Sequence, residues 1–162
     1  MKQEVKRDEL FLEMIHQNEG IIYKVVSFYA DAEHPIGDLY QEVVLNLWKS
    51  YPSFRGESKY STWIYRIALN TCVSFYRRNK KNVTYVDISV DMPEIEDSSE
   101  EIQELYKLIN CLGKIERALV LLYLDDKSYK EIAEITGLSV TNVATKLSRI
   151  KEKLRLMSNG QN

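Results

Sequence analysis

The stretch Ser128-Tyr129-Lys130-Glu131-Ile132-Ala133-Glu134-Ile135-Thr136-Gly137-Leu138-Ser139-Val140-Thr141-Asn142-Val143 holds two helix starts with a helix stop between them. Ser128 followed three residues later by Glu131 is a capping box. Ile132 and Ile135 then keep helical spacing, and Gly137 tolerates the positive φ of a tight turn. Ser139 caps a second helix, predicted to run from Val140 to about Met157. Ala133, Gly137 four residues on and Val143 six later have the spacing of a helix-turn-helix: the small residue lets the helices cross closely, and Val143 packs the second back on the first. Thr141, Asn142, Thr145, Lys146 and Arg149 then project from the early turns of the second helix. Thr and Asn can hydrogen-bond base edges or phosphates, and Lys146 and Arg149 can take phosphate or guanine according to their depth in the groove. The expectation is a helix pair that reads duplex DNA, against the plainer alternative of an αα-hairpin that only packs.

The helical period extends outward from this motif. Ile102, Leu105, Leu108 and Ile109, then Ile115, Leu119 and Leu122, predict two short helices separated at Leu112-Gly113. Near the start, Leu10, Met14, Ile15, Ile22, Val25, Val26 and Tyr29 predict a helix over about 8–31, with a break near Gly20 and a close at Pro35 and Gly37. Asp38 is the expected N-cap of a further helix, stopped by Tyr51-Pro52, and 52–58 reads as a loop. A third helix is predicted from about 59 to 78, roughly 30 Å long. Residues 82 to about 98 lose the period and contain Pro93. Their short run Val83-Thr84-Tyr85-Val86 is too isolated to form a sheet. The fold class is therefore all-α: two small helical domains, 1–82 and 99–162, joined by an acidic linker at 83–98.

Length and composition agree with that division. The chain has 162 residues and 19.0 kDa, 44% hydrophobic and 28% charged, with only 3 Pro and 6 Gly, which excludes a large multi-layer enzyme and a disordered or collagen-like chain. The longest apolar run, Ala118 to Leu124, is far below the roughly 18–20 residues that span a bilayer. The first residues, Met1 to Asp8, lack the apolar core of a secretion leader, so the expected address is the cytoplasm. Cys72, Cys111, His16 and His34 have neither metal-ligand spacing nor catalytic clustering, so no metal, no cofactor and no enzymatic activity are expected.

The net charge of −2 conceals segregation. Eight acids and no base lie between Asp87 and Glu104, and the rest of the chain carries +6. Between Ser58 and Val86 there is no acid, only Lys59, Arg66, Arg77, Arg78, Lys80 and Lys81. From Leu138 onward Lys146, Arg149, Lys151, Lys153 and Arg155 face Glu152 alone. Solvated helix faces are the plain explanation of any one such run. Here each basic run lies inside a further motif. Phe54, Tyr60, Trp63, Tyr65, Phe75 and Tyr76 interleave with Arg55, Lys59, Arg66, Arg77 and Arg78, a mixture that stacks unpaired bases while holding phosphates, although aromatics at helical spacing are more often core.

Three segments carry a family resemblance. Asp38-Leu39-Tyr40-Gln41-Glu42-Val43-Val44-Leu45-Asn46-Leu47-Trp48, Phe54-Arg55-Gly56-Glu57-Ser58 and Thr62-Trp63-Ile64-Tyr65-Arg66-Ile67-Ala68-Leu69-Asn70 closely resemble region 2 of the extracytoplasmic-function (ECF) sigma factors of bacterial RNA polymerase, within the sigma-70 family. The segment from Ser128 to Arg155 resembles their region 4. The resemblance covers nearly the whole chain in the right order. It implies a promoter-specificity factor for transcription initiation, with 1–82 as region 2, binding core polymerase and the −10 element, and 99–162 as region 4, binding the −35 element.

The partners so implied are the bacterial RNA polymerase core with its beta and beta-prime subunits, promoter DNA, and an anti-sigma factor, membrane-bound in some versions. The helix around Asp38, Gln41, Glu42 and Trp48 would dock on the polymerase clamp coiled coil. The loop from Phe54 through Arg55, Ser58, Lys59 and Tyr60 to Ser61 would hold a base flipped from the −10 element. Trp63, Arg66, Asn70, Arg77 and Arg78 would separate and track the strands, with stacking worth roughly 1–3 kcal/mol per base offsetting an unstacking cost of a few kcal/mol. Ser139, Thr141, Asn142, Thr145, Lys146 and Arg149 would read the −35 duplex. The linker would thread its acids toward the polymerase's active-site and RNA-exit path. Ser74, Gly113 and Ala144 stand where the family often has Asp or Asn, Pro, and Lys or Arg, so the promoter sequence is not carried over. The sparse basic charge of the recognition helix predicts weak unaided DNA binding with a modest salt dependence. A free-standing helix-turn-helix regulator with a sensing or dimerising N-terminal half is the alternative. A nuclease or recombinase would need clustered carboxylates or a nucleophile.

Overall fold

The computed structural model describes residues 1–79 and 100–160, the side chains of 76–79 excepted. The predicted linker at 83–98, the run Val83 to Val86 and the side chains of Arg77 and Arg78 lie outside the described residues. On either side of that gap the chain forms two compact units, both helical, and the described residues contain no strand.

The N-terminal unit packs three helices against one another: α1 (Lys2–Tyr29), α2 (Ile36–Ser50) and α3 (Tyr60–Asn79). Helix α1 buries Phe11, Met14, Ile15, Ile22, Val25, Val26 and Tyr29, a stripe at three- and four-residue steps. It begins at Lys2 rather than near residue 8 and does not break at Gly20. Gly20 is exposed, and the apolar stripe on both sides of it outweighs the roughly 1 kcal/mol that a helical glycine costs.

After α1 the chain turns through Asp31 to His34, whose backbones exchange hydrogen bonds of 3.1 and 3.2 Å. Asp31 Oδ1 accepts from the backbone N–H groups of Glu33 (3.0 Å) and His34 (2.7 Å), and His34 Nδ1 lies 2.9 Å away. Both side chains are buried, and the His34 ring meets Phe75 edge-on at 5.1 Å. Pro35, not Asp38, is the N-cap of α2. Proline's fixed φ suits the entry of a helix, and its carbonyl receives the backbone N–H groups of Asp38 and Leu39. Asp38 then sits one turn in, its negative charge favourable beside the positive helix end. The expected loop after α2 opens as a 3-10 turn, Tyr51–Ser53, before Gly56 takes φ +73°.

The C-terminal unit holds α4 (Glu100–Asn110), α5 (Lys114–Leu124), α6 (Tyr129–Thr136) and α7 (Val140–Asn159). Helix α7 packs on the other three, and its Val143, Leu147 and Ile150 are buried, as are Leu119 and Leu122 of α5 and Ile132 of α6. Gly113 caps α5, and the buried Arg117 reaches back to the end of α4, where its guanidinium donates to the carbonyls of Leu112 (3.2 Å) and Asn110 (2.6 Å). Asn110 ends α4 and Leu112 lies just past it, so the arginine acts as a cap for that helix end supplied by the next helix.

Candidate nucleic-acid interface

In the N-terminal unit the aromatic side chains form a connected set. Phe11 meets Trp48 at 4.9 Å and Tyr51 at 5.3 Å, Trp63 packs on Phe54 at 4.9 Å, and Phe54 stacks on Tyr60 at 4.8 Å. Arg7 lies over the Trp48 ring at 5.0 Å, a cation–π contact. Tyr51 bonds Tyr60, and burial first, then Tyr60, pushes its hydroxyl pKa up. Trp63, expected to meet DNA, is only 8% exposed and belongs to the core. It supports Phe54 from beneath. Phe54 and Ser58 are half-buried, Ser61 likewise, while Arg55, Lys59 and Tyr60 are exposed at the start of α3.

Farther along α3, Arg66, Asn70 and Ser74 form an exposed stripe at four-residue steps, opposite the buried Ile64, Ala68 and Cys72. The structure thus brings Arg55, Lys59, Arg66 and Asn70 to the surface and turns the indole inward. On α2, Asp38 and Gln41 are exposed, Glu42 is half-buried, and Trp48 is partly covered by Phe11 and Arg7. Arg7 and Tyr51 were not foreseen as parts of this set. The signal for Arg7 lay in its four-residue spacing from Phe11, which puts both on the side of α1 that buries Met14 and Ile15.

The C-terminal unit realises the helix-turn-helix spacing. The Ser128 side chain accepts from the Glu131 backbone N–H and donates to the Glu131 carboxylate, both at 3.1 Å, and Gly137 ends α6 at φ +80°. Ser139 caps α7, accepting from the Asn142 backbone N–H at 3.1 Å, and Val143 is fully buried. Thr141, Asn142, Thr145 and Arg149 are exposed and Lys146 is half-buried. Ser148, absent from the sequence candidates, is exposed on the same side as Thr141 and Thr145. The Thr145 hydroxyl donates to the Thr141 carbonyl at 3.0 Å, so outward it offers a methyl group and an accepting lone pair.

The remaining basic residues of α7 are engaged within the unit. Lys151 lies 4.1 Å from the centre of the Tyr123 ring, Lys153 is 3.6 Å from Glu116, and Arg155 forms a two-pronged pair with Glu152 at 2.6 and 3.0 Å. The Tyr123 hydroxyl, as hydrogen-bond partner, raises the Lys151 pKa, and Arg155 lowers that of Glu152. Among the described residues Lys146 and Arg149 make no ion pair, which leaves them as the cations of the recognition surface. No group of His, Cys, Asp and Glu among the described residues could hold a metal ion, and none of their helices is long and apolar enough to cross a membrane.

Comparison with known proteins adds a second line. Residues 14–82 match the family model for Sigma-70 region 2, and residues 102–154 match that for Sigma-70, region 4. The chain is 30% identical to the ECF RNA polymerase sigma-E factor of Haemophilus influenzae, over 86% of this chain and 81% of that protein. It is 35% identical to the RNA polymerase sigma factor YlaC of Bacillus subtilis, over 73% of this chain and 74% of the other. To the ECF RNA polymerase sigma factor SigW of the same organism it is 29% identical, over 96% and 92%. In fold it is similar to the sigma factor RpoE solved with the anti-sigma factor NepR from Bartonella quintana, with a TM-score of 0.74 at 20% identity over 93% of this chain and 97% of that one. It is also similar to CnrH solved with the cytosolic domain of CnrY, with a TM-score of 0.68 at 18% identity over 96% and 91%.

Proposed function

The chain belongs to the sigma-70 family, in its ECF group of RNA polymerase sigma factors, and we propose that its two units divide promoter recognition between them. It is a transcription initiation factor and not an enzyme. The unit within 1–82 docks on core polymerase through α2, offering Asp38 and Gln41 directly, with Glu42 and the uncovered edge of Trp48 behind them. Its loop from Phe54 to Ser61 and the exposed side of α3, with Arg55, Lys59, Tyr60, Arg66 and Asn70, receive the −10 element as it opens. Arg77 and Arg78 continue that surface in sequence, and Trp63 positions the loop from beneath. The unit within 99–162 lays α7 in the major groove of the −35 element, where Asn142 and Arg149 contact base edges and Ser139, Thr141, Thr145 and Lys146 hold phosphate or pack on bases.

The observation that carries this division is the contrast in available chemistry. Helix α7 exposes small polar groups and two cations suited to duplex grooves, and the start of α3 exposes an aromatic beside Arg55 and Lys59, suited to unpaired bases. Two relatives in fold were solved with an anti-sigma factor or with the cytosolic domain of another protein. That supports an anti-sigma partner that holds this chain until a signal releases it, in the cytoplasm where polymerase works.

The test is transcription in vitro from pooled genomic DNA, with bacterial core polymerase free of other sigma factors and sequencing of transcript 5′ ends. Discrete starts sharing two upstream motifs are expected. No stimulation, with duplex binding intact, would overturn the reading in favour of a free-standing regulator.

A further inference from the structure

The head of α1 stands apart from the rest of the N-terminal unit. Residues 2–10 are all exposed, Phe11 is the first buried side chain, and the match to the family model begins only at residue 14. One side chain of this segment is nevertheless fixed. Arg7 lies 5.0 Å from the centre of the Trp48 ring, and Phe11, one turn on, packs against the same indole at 4.9 Å. Arg7 makes no ion pair among the described residues, although Glu4 lies three residues before it on the same helix. Its charge is therefore held against an aromatic of α2 and left uncompensated.

Trp48 lies at the end of the exposed side of α2. Asp38, Gln41, Leu45 and Trp48 follow one another at steps of three and four residues, so they share one side of the helix. Asp38 and Gln41 are exposed, Leu45 is 44% exposed, and Trp48 is half-buried. Leu10, three residues past Arg7 and on the same side of α1, is 48% exposed. Along α2 the order is thus an acid at the start, an exposed leucine in the middle and, about 15 Å from the acid, an indole with an arginine laid over it. We propose that Arg7 and Leu10 carry the polymerase-docking surface of α2 onto α1, and that this surface fits a helix of core polymerase with a carboxylate near Arg7, a basic group near Asp38 and an apolar side chain on Leu45 and the Trp48 edge. The inference rests on the reading of α2 as the docking helix. Charges of opposite sign at the two ends of an apolar strip admit such a helix in one direction only, because the reversed helix sets like charges together. A DNA strand would gain Arg7 but meet an apolar side chain and then the acid Asp38.

The test measures the affinity of the labelled full chain for bacterial core polymerase at low and high salt. Arg7→Met keeps an unbranched side chain over the indole and removes the charge. It is expected to bind core about tenfold more weakly at low salt, with most of the difference gone at high salt, and to melt like the wild type. Arg7→Lys, which keeps both charge and ring contact, is expected to stay close to the wild type. Equal affinities of Arg7→Met and wild type, with Asp38→Ala weakened, overturn this inference alone and leave Arg7 as a brace for Trp48 within the unit. So does an Arg7→Lys chain as weak as Arg7→Met, since charge is then not what the partner reads. Intact core binding with weaker binding of fork DNA by the holoenzyme overturns it in favour of a DNA contact. If neither Arg7→Met nor Asp38→Ala weakens core binding, the docking role of α2 falls along with it.

Discussion

In the N-terminal unit the two candidate indoles, one expected to meet DNA and the other polymerase, are turned inward or partly covered, whereas in the C-terminal unit the small polar candidates stand outside and most of the surrounding charge is held within the unit. Trp63 is buried under Phe54, and Trp48 is partly covered by Phe11 and Arg7. By contrast Thr141, Asn142 and Arg149 are exposed, while Lys151, Lys153 and Arg155 each contact a neighbour on their own unit. A surface that must receive unpaired bases needs rigid support under a few exposed groups. A surface that enters a groove already shaped by the duplex needs little more than a fixed helix with the right groups outward.

The strongest way to break this contrast is Trp63→Ala. If the indole is scaffold, the change destabilises the N-terminal unit by about 3–5 kcal/mol, read as a lower denaturant midpoint, and promoter opening falls with it. Normal stability with opening lost would return Trp63 to the DNA surface. In the C-terminal unit, Gly137→Ala should cost about 1–2 kcal/mol, because φ +80° strains a residue with a Cβ. A thermal melt of the full chain checks it. Arg149→Ala should leave that melt unchanged and weaken −35 duplex binding about tenfold, with the preference at the base it contacts relaxed. An unchanged promoter-binding curve would remove Arg149 from the interface.

Ser139→Ala should cost about 1 kcal/mol through the lost cap of α7, again by thermal melt. Smallest is the effect of acid on the Glu152–Arg155 pair. Arg155 lowers the Glu152 pKa, so any contribution is present above the ordinary glutamate range and is lost as pH falls through the depressed value. Both residues are exposed, and Glu152→Gln should leave the melt at neutral pH nearly unmoved.

The C-terminal motif was legible because its signals are local. A Ser with a Glu three residues on, a Gly at the turn and a Val at fixed spacing specify backbone geometry through contacts within a few residues, and each falls where expected. The N-terminal site was legible in outline only. Trp63 reads the same in sequence whether it faces base or core, since its burial depends on Phe54 and Tyr51 folding over it from a separate segment. The start of α2 was misplaced for a related reason. Asp38 has the chemistry of a cap, but the Asp31–His34 turn delivers the chain to Pro35 first, and that turn depends on a buried carboxylate holding two backbone N–H groups.

Arg117 gives the C-terminal unit a mechanical property. Its guanidinium, buried in α5, ends on carbonyls at the close of α4. Prying α4 away would break both bonds and leave that helix end uncapped. The two helices therefore move as one lever, and a partner that grips the outer face of α4 takes hold of α5 with it, and through α5 of the packing beneath the recognition helix.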